Sequence, residues 1–440
     1  MNINKLIRIF FLLIISSIEI GQSLVPVERH GHSAVLVDKK LYFFGGESVF
    51  GKLKNSIHLD QILYIDLSKP FNTANPPFEE VINAPMPFGS SYATAFLSPQ
   101  KKNIIYLFGG IMWDVNANVD KFKSILYSYN VETNEWIPPA TTGIAPEKRR
   151  EINGVINNET GKFYAFSGLD TNAQNVVTTF NDMNILDINS LTWSKGSITN
   201  APLPRVDYTA TLLSNGIIVF IGGRETNNLV SVDINQLPLY DTKVDRWSTM
   251  TARGVTLENR NSHSAILTSD EKIIVFGGNK DDIATPVLNP LAVLNTKVVP
   301  YEWSVPTPAP PLPLTTNLHS ATLVENYMFI NFGQVHPKND SLLQKPFFYI
   351  LDVRNFTWVE KFEPEQLSQS PNGTTTVNTS STNSPGLGVT TPDNGKQIGI
   401  IIGAVGISVG VIAVAGLLGY KYYKKQKYTR AIPTAGSPTI

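Results

Sequence analysis

The chain has 440 residues, 36 of them basic and 36 acidic, with 42% hydrophobic residues and no cysteine. Balanced charge leaves no global field to draw it to nucleic acid, and the missing cysteines exclude disulfides, thiolate metal sites and thiol nucleophiles. A folded region in a chain of this length must then be held by burial alone, which a large domain achieves.

The N-terminus carries an address. Lys5 and Arg8 precede an apolar run from Ile9 to about Ile18, and Gly21 and Ser23 supply small residues before Leu24. This layout predicts a secretory signal peptide over residues 1–23.

From 24 to 361 one pattern recurs six times. A first strand, a, opens on a repeated lead-in: RHGHSAVLV from Arg29, GSSYATAFL from Gly89, REINGVI from Arg150, RVDYTATLL from Arg205, RNSHSAILT from Arg260 and TNLHSATLV from Thr316. A second, continuously apolar strand, b, ends in two small residues: Gly45-Gly46, Gly109-Gly110, Ser167-Gly168, Gly222-Gly223, Gly277-Gly278 and Gly333-Gln334. Such runs suit strands covered on both faces, and the glycines suit a tight exit. A third strand, c, closes on Asp66, Asn130, Asp187, Asp241, Asn295 or Asp352, residue types that start turns. Trp136, Trp193, Trp247, Trp303 and Trp358 then mark a fourth strand, d, with Phe78 standing in for the missing Trp of repeat 1.

The Gly-Gly pair, the later Asx and the Trp, six times in register, resemble the kelch-repeat family. The resemblance implies an all-β, six-bladed kelch β-propeller. It is similar to the propeller of galactose-oxidase-like proteins, but without their copper site, because the Tyr–Cys cross-link of that family needs a cysteine. An E-x-x-x-D-x-x-x-H iron string, present in other kelch proteins, is absent as well. No cofactor or metal is expected, and a binding module is the expected function. An enzyme with a site assembled from distant loops is the alternative.

Strand parity puts the b–c loops and the d–a linkers on one face. The b–c segments 47–61, 111–123, 169–181, 224–236, 279–290 and 335–346 are long and varied, as binding loops on a rigid scaffold are. Arg29, Arg150, Arg205 and Arg260 share one register at the start of strand a. They form either a cationic ring for an acidic or carbohydrate ligand or a set of backbone ties between blades. His30, Asp207 and Asn261, which differ between blades, are the specificity candidates. His32, His263 and His319 recur at one position where Tyr92 and Tyr208 replace them, which points to packing instead of metal ligation. The string Asp114-x-Asn116-x-Asn118-x-Asp120 alternates oxygen ligands but lacks the glycine and final Glu of a Ca²⁺ loop, and reads as a polar loop.

Beyond the repeats, residues 362–397 form a Ser/Thr-rich stalk with too little apolar material to fold. Ile398 to Tyr420 is uncharged and, at about 1.5 Å per residue, long enough to cross a bilayer. The basic tail at 421–440 belongs in the cytoplasm by the positive-inside rule. A type I, single-pass plasma-membrane protein follows, its propeller extracellular. The partner is then an unknown extracellular protein or glycan. Gly399, Gly403, Gly406 and Gly410 fall on one helical stripe, which suits a homodimer through the membrane helix. Asn158, Asn339, Asn355, Asn372 and Asn378 head N-glycosylation sequons.

Overall fold

The apolar runs become strand b of each repeat, at Lys40–Phe44, Ile104–Phe108, Lys162–Phe166, Ile217–Ile221, Lys272–Phe276 and Tyr327–Asn331. Their side chains are buried on both faces because each sheet lies between two others. The computed structural model describes residues 24–364, apart from 51–54, 83, 115, 118, 173, 282–284, 309–312 and 336–347. Residues 1–23, expected to be a signal peptide, and 365–440, which hold most of the expected stalk, the apolar segment with Gly399, Gly403, Gly406 and Gly410, the basic tail, Asn372 and Asn378, lie outside the described residues, as does Asn339. Among the described residues no helix is long and apolar enough to cross a membrane.

Each repeat folds into a sheet whose strands a-b-c-d pair antiparallel in that order, and in repeats 3 and 5 a two-residue strand from the preceding linker, Thr142–Gly143 or Arg253–Gly254, adds parallel to strand d. Strand a is Ser33–Val37, Thr94–Leu97, Val155–Asn157, Thr209–Leu212, Ser264–Leu267 or Ser320–Val324. Strand c ends in an Asx turn in all six repeats. Asp66, Asn130, Asp187, Asp241, Asn295 and Asp352 each accept a hydrogen bond from the backbone N–H two residues on. The d-strand aromatic packs on the preceding repeat, as in Trp193 on Phe108 (5.7 Å), Trp247 on Phe166 (4.8 Å) and Trp358 on Phe276 (5.7 Å). In repeat 1 this role falls to Phe78, 5.2 Å from Phe332.

The small pair sits where two repeats touch. A Cβ on Gly45 would lie 2.2 Å from the carbonyl oxygen of Ser90, and one on Gly277 2.2 Å from that of Thr316. The second member of the pair donates its N–H to the same lead-in residue: Gly46 to Ser90 (2.7 Å), Gly110 to Arg149 (2.8 Å), Gly278 to Thr316 (2.9 Å) and Gly333 to Arg29 (2.9 Å). These bonds fix the frame and correct three readings. In repeat 2 the lead-in position belongs to Ser90, in place of Gly89. In repeat 3 it belongs to Arg149, so Arg150 is one place out of register with Arg29, Arg205 and Arg260. In repeat 6 the pair is Phe332-Gly333, with Phe332 itself at φ 55°, and Gln334 follows it.

The ring closes through both ends of the described chain. Leu24 bridges to Phe78, and the segment Lys361–Phe362 after repeat 6 pairs antiparallel with Phe71–Asn72 of repeat 1. The carbonyl of Glu360 accepts hydrogen bonds from the N–H of Thr73 (2.9 Å) and its hydroxyl (3.0 Å). Phe362 is fully buried against Phe71 and Phe329.

Candidate functional site

Just before strand a, six residues share a left-handed backbone: Gly31, Tyr92, Glu151, Asp207, Ser262 and Leu318, with φ between 51° and 60°. That conformation turns each N–H toward the carbonyl of a neighbouring repeat. Gly31 donates to Leu318 (2.9 Å), Leu318 to Ser262 (2.9 Å), Ser262 to Asp207 (2.9 Å), Asp207 to Glu151 (3.0 Å), Glu151 to Tyr92 (3.3 Å) and Tyr92 to Gly31 (2.6 Å). The result is a closed belt of backbone hydrogen bonds around the axis. Below it lies a cavity of about 210 Å³ walled by the start of strand a in five repeats and, in repeat 3, by Glu151–Asn153 just before that strand.

The next residue inward ties repeats through side chains. Nε2 of His32, His263 and His319 bonds the hydroxyls of Ser320 (2.8 Å), Thr209 (3.0 Å) and Ser264 (2.7 Å). Burial holds His32 and His263 well below the usual imidazole range and takes His319 to about 3, so all three are neutral. The true register here is His32, Ala93, Ile152, Tyr208, His263 and His319. Tyr208 does share the histidine position, and Tyr92 lies one place earlier, on the belt.

The lead-in arginines point inward as well. Arg29, Arg149 and Arg260 are almost fully buried and donate to the carbonyls of Gly45 (3.0 Å), Ser167 (3.1 Å) and Gly277 (3.5 Å). Burial lowers Arg29, Arg205 and Arg260 to about 10. Asn261 is also fully buried, donating to Ser231 (2.9 Å) and to the carbonyl of Lys280 (2.9 Å). These residues hold loops and repeats together; a ligand would not reach them.

The structure instead gathers charge on the axis, at the mouth of the cavity. Asp207 takes a forked hydrogen bond from Arg224, with its Nε at 3.0 Å. Glu151 pairs with Arg150 at 3.1 Å and faces Arg224 at 3.9 Å. Tyr92 donates to Glu47 (2.8 Å), and Glu47 lies 3.6 Å from His30. Burial, then the neighbouring Asp207, pushes Glu151 up to about 7; burial also raises Asp207. The two carboxyls titrate as a pair. Of the sequence candidates, His30, Arg150 and Asp207 meet here. Glu47, Tyr92, Glu151 and Arg224 were missed. The signal for one of them was present, since Glu151 stands at the register position of Asp207, where the other repeats carry no acid.

A folded-state pKa above the free value means that the native chain holds this proton more tightly than the unfolded one. The stabilisation it gives is complete below about 4.5 and is lost as pH rises through about 7. Glu151→Gln should therefore flatten the dependence of Tm on pH between pH 5 and 8. A wild-type slope in the variant would show that Glu151 does not carry the titration.

Around the mouth the b–c loops form short hairpins. Glu47–Phe50 pairs with Asn55–His58, and Leu169–Thr171 with Val177–Thr179. In repeat 2 Ile111–Asp114 pairs both with Val119–Asp120 and with Gly89–Ser91 of its own lead-in. The carboxylate of Asp114 accepts from the N–H groups of Asn116 and Ala117 and pairs with Lys121 (3.1 Å), so it shapes its own turn. On the opposite face the a–b and c–d connections are mostly tight turns, among them those that carry Asn158 and Asn355, both exposed.

Residues 93–333 and 209–383 match the KLHDC2/KLHL20/DRC7 Kelch-repeats domain. Human Kelch domain-containing protein 3 is 25% identical over 259 residues, which are 57% of this chain and 64% of that protein. Human host cell factor 1 is 28% identical over 213 residues, 45% of this chain and 10% of that protein. The Caenorhabditis elegans host cell factor homolog hcf-1 is 27% identical over 271 residues, 58% of this chain and 32% of that protein. The chain thus spans less than two thirds of the length of these relatives. The family match covers more than half of the chain and falls on sheets of this construction, so the protein belongs to the kelch-repeat family of β-propeller domains.

Proposed function

We propose that this chain is a six-bladed, membrane-anchored kelch propeller that acts at the cell surface by binding and not by catalysis. It takes a protein or glycan ligand on the b–c and d–a face. The asymmetry between the two faces carries this reading: hairpin loops and the charged mouth on one side, tight turns on the other. The type I topology rests on the two apolar segments of the sequence and the basic residues after the second. The glycine stripe pairs two such chains in the membrane and so raises avidity for a repeated ligand.

The purified full chain, probed on an array of glycans and cell-surface proteins, should capture a ligand. Mutation of Tyr92 or Arg224 at the mouth should weaken that capture more than mutation in the opposite turns. Failure to capture any ligand in either class would overturn the reading. Peptide mapping from a eukaryotic host should find glycans at Asn158 and Asn355, where they leave the loop face open. Bare asparagines at all five sequons would remove the extracellular assignment.

A further inference from the structure

Strand d is the outermost of the four strands of each repeat, so one edge of its main chain faces away from the sheet. An open edge pairs readily with other chains, and folded proteins cover it, shorten it or charge it. Five repeats do so. Repeat 1 has only Glu79–Glu80, both exposed acids, next to the bridge from Leu24 to Phe78. Repeat 2 has only Glu135–Ile137, and repeat 6 only Thr357–Trp358. Repeats 3 and 5 cover theirs with the parallel strands Thr142–Gly143 and Arg253–Gly254. Repeat 4 does none of these. Its strand d, Arg246–Thr251, is six residues long, uncharged from Trp247 to its end, and last in its sheet.

The linker before repeat 4 fails to cover this edge for a steric reason. In repeats 3 and 5 the N–H of Thr142 or Arg253 bonds the carbonyl two residues before the Trp, that of Leu191 (2.9 Å) or Tyr301 (2.8 Å). A glycine follows, and a Cβ there would lie 2.1 Å from the carbonyl oxygen of Trp193 or 2.2 Å from that of Trp303. In repeat 4 Ser197 makes the equivalent bond, to the carboxylate of Asp245 (2.7 Å), but the next residue is Ile198. The linker therefore stands off. The carbonyl of Ser197 accepts from the indole of Trp247 (2.8 Å), and the N–H of Thr199 turns back to the hydroxyl of Ser197 (3.2 Å). In repeat 5 Val255 reaches the carbonyl of Trp303 (3.0 Å); among the described residues, no linker hydrogen bond reaches the main chain of Arg246–Thr251.

The N–H of Ala252 bonds the carbonyl of Asn235, which fixes the alternation along the strand. Arg246, Ser248 and Met250 thus face strand c, while Trp247, Thr249 and Thr251 turn N–H and C=O outward. Ser248, Thr249 and Thr251 are exposed. We propose that this edge is a strand-addition site that takes an extended, uncharged segment of a partner protein, bound through its main chain. The covered repeats define the occupant. Each takes a free segment that runs parallel to strand d and has no further strand beyond it, whereas a second copy of this chain would bring a whole sheet. After Arg246 the edge offers no charge to pair with, and the exposed Ile198 gives a β-branched side chain of the segment an apolar contact. The site lies on the rim of the ring, apart from the charged mouth, and so goes beyond the loop-face reading.

The test uses the full chain and a labelled, capped peptide, Thr-Val-Thr-Gly-Val-Thr, read by fluorescence anisotropy and by hydrogen exchange of the segment 246–252. The peptide should bind and slow exchange of the Thr249 and Thr251 amides about tenfold, and a copy N-methylated throughout should bind about tenfold more weakly or worse. Thr249→Pro removes an N–H that strand c does not use, so the urea midpoint should be kept while the peptide is lost by a similar factor. Thr249→Lys, which keeps the N–H and charges the edge, should weaken binding as well. No binding, unchanged exchange at 246–252, equal binding of the N-methylated copy, or equal binding by both variants overturns the proposal. Self-association of the wild-type chain that Thr249→Pro abolishes would assign the edge to a second copy and overturn the choice of occupant.

Discussion

Replacing Phe362 by alanine should destabilise the propeller by about 3–5 kcal/mol, the range for a fully buried Phe. Its ring is 0% exposed and stands 5.1 Å from that of Phe71 and 5.5 Å from that of Phe329. The same two-residue strand joins repeat 6 to repeat 1, so the vacated space would lie at the seam of the ring, where little else can collapse into it. Lys361, one residue earlier, has a side chain 71% exposed, and Lys361→Ala should be close to neutral. Urea unfolding of the two variants side by side is the measurement. Equal midpoints would mean that the ring does not depend on this strand.

Gly277→Ala should cost at least about 2 kcal/mol, as a sum of two separate penalties. At φ 67° a Cβ costs about 1 kcal/mol for the left-handed conformation alone. The added methyl would also lie 2.2 Å from the carbonyl oxygen of Thr316 and 2.8 Å from Cε1 of His319, so repeats 5 and 6 would have to separate. Gly216 makes a fair control: it has φ 90°, but its nearest neighbours are the flexible Lys243 side chain at 3.0 Å and a Thr242 hydroxyl. Gly216→Ala should therefore show the conformational penalty without the clash. Thermal unfolding that ranks the two variants equally would remove the argument from close approach.

The sheet-forming parts of the sequence were legible because each depends on local chemistry. Apolar b strands, Asx turns after strand c and the d-strand aromatics read correctly in every repeat, including Phe78 for Trp. The frame of the lead-in was legible only in part. Repeat 2 offers Gly89-Ser90-Ser91 and repeat 3 offers Arg149-Arg150, and in each case neighbouring residues of similar type fit the pattern equally well. What decides between them is a backbone hydrogen bond from another repeat, which no local pattern records. The same cause hid Phe332, since a bulky residue with positive φ looks like the end of an apolar strand. Most of the charged mouth was hidden because its members come from four repeats and meet only after the ring has closed.

The closed belt has a consequence for what the central positions are free to become. A linear stack of repeats has a first and a last member, and each must be made polar on its outer side. A circuit that returns to its starting residue has no such members. The belt is also made wholly of main chain, and it asks of each residue only that its backbone turn left. Glycine, tyrosine, glutamate, aspartate, serine and leucine all meet that demand here. The axis of the domain can therefore vary in its side chains while the main chain beneath continues to hold the ring, except at Gly31, where an added Cβ would lie 2.8 Å from the ring of Tyr92.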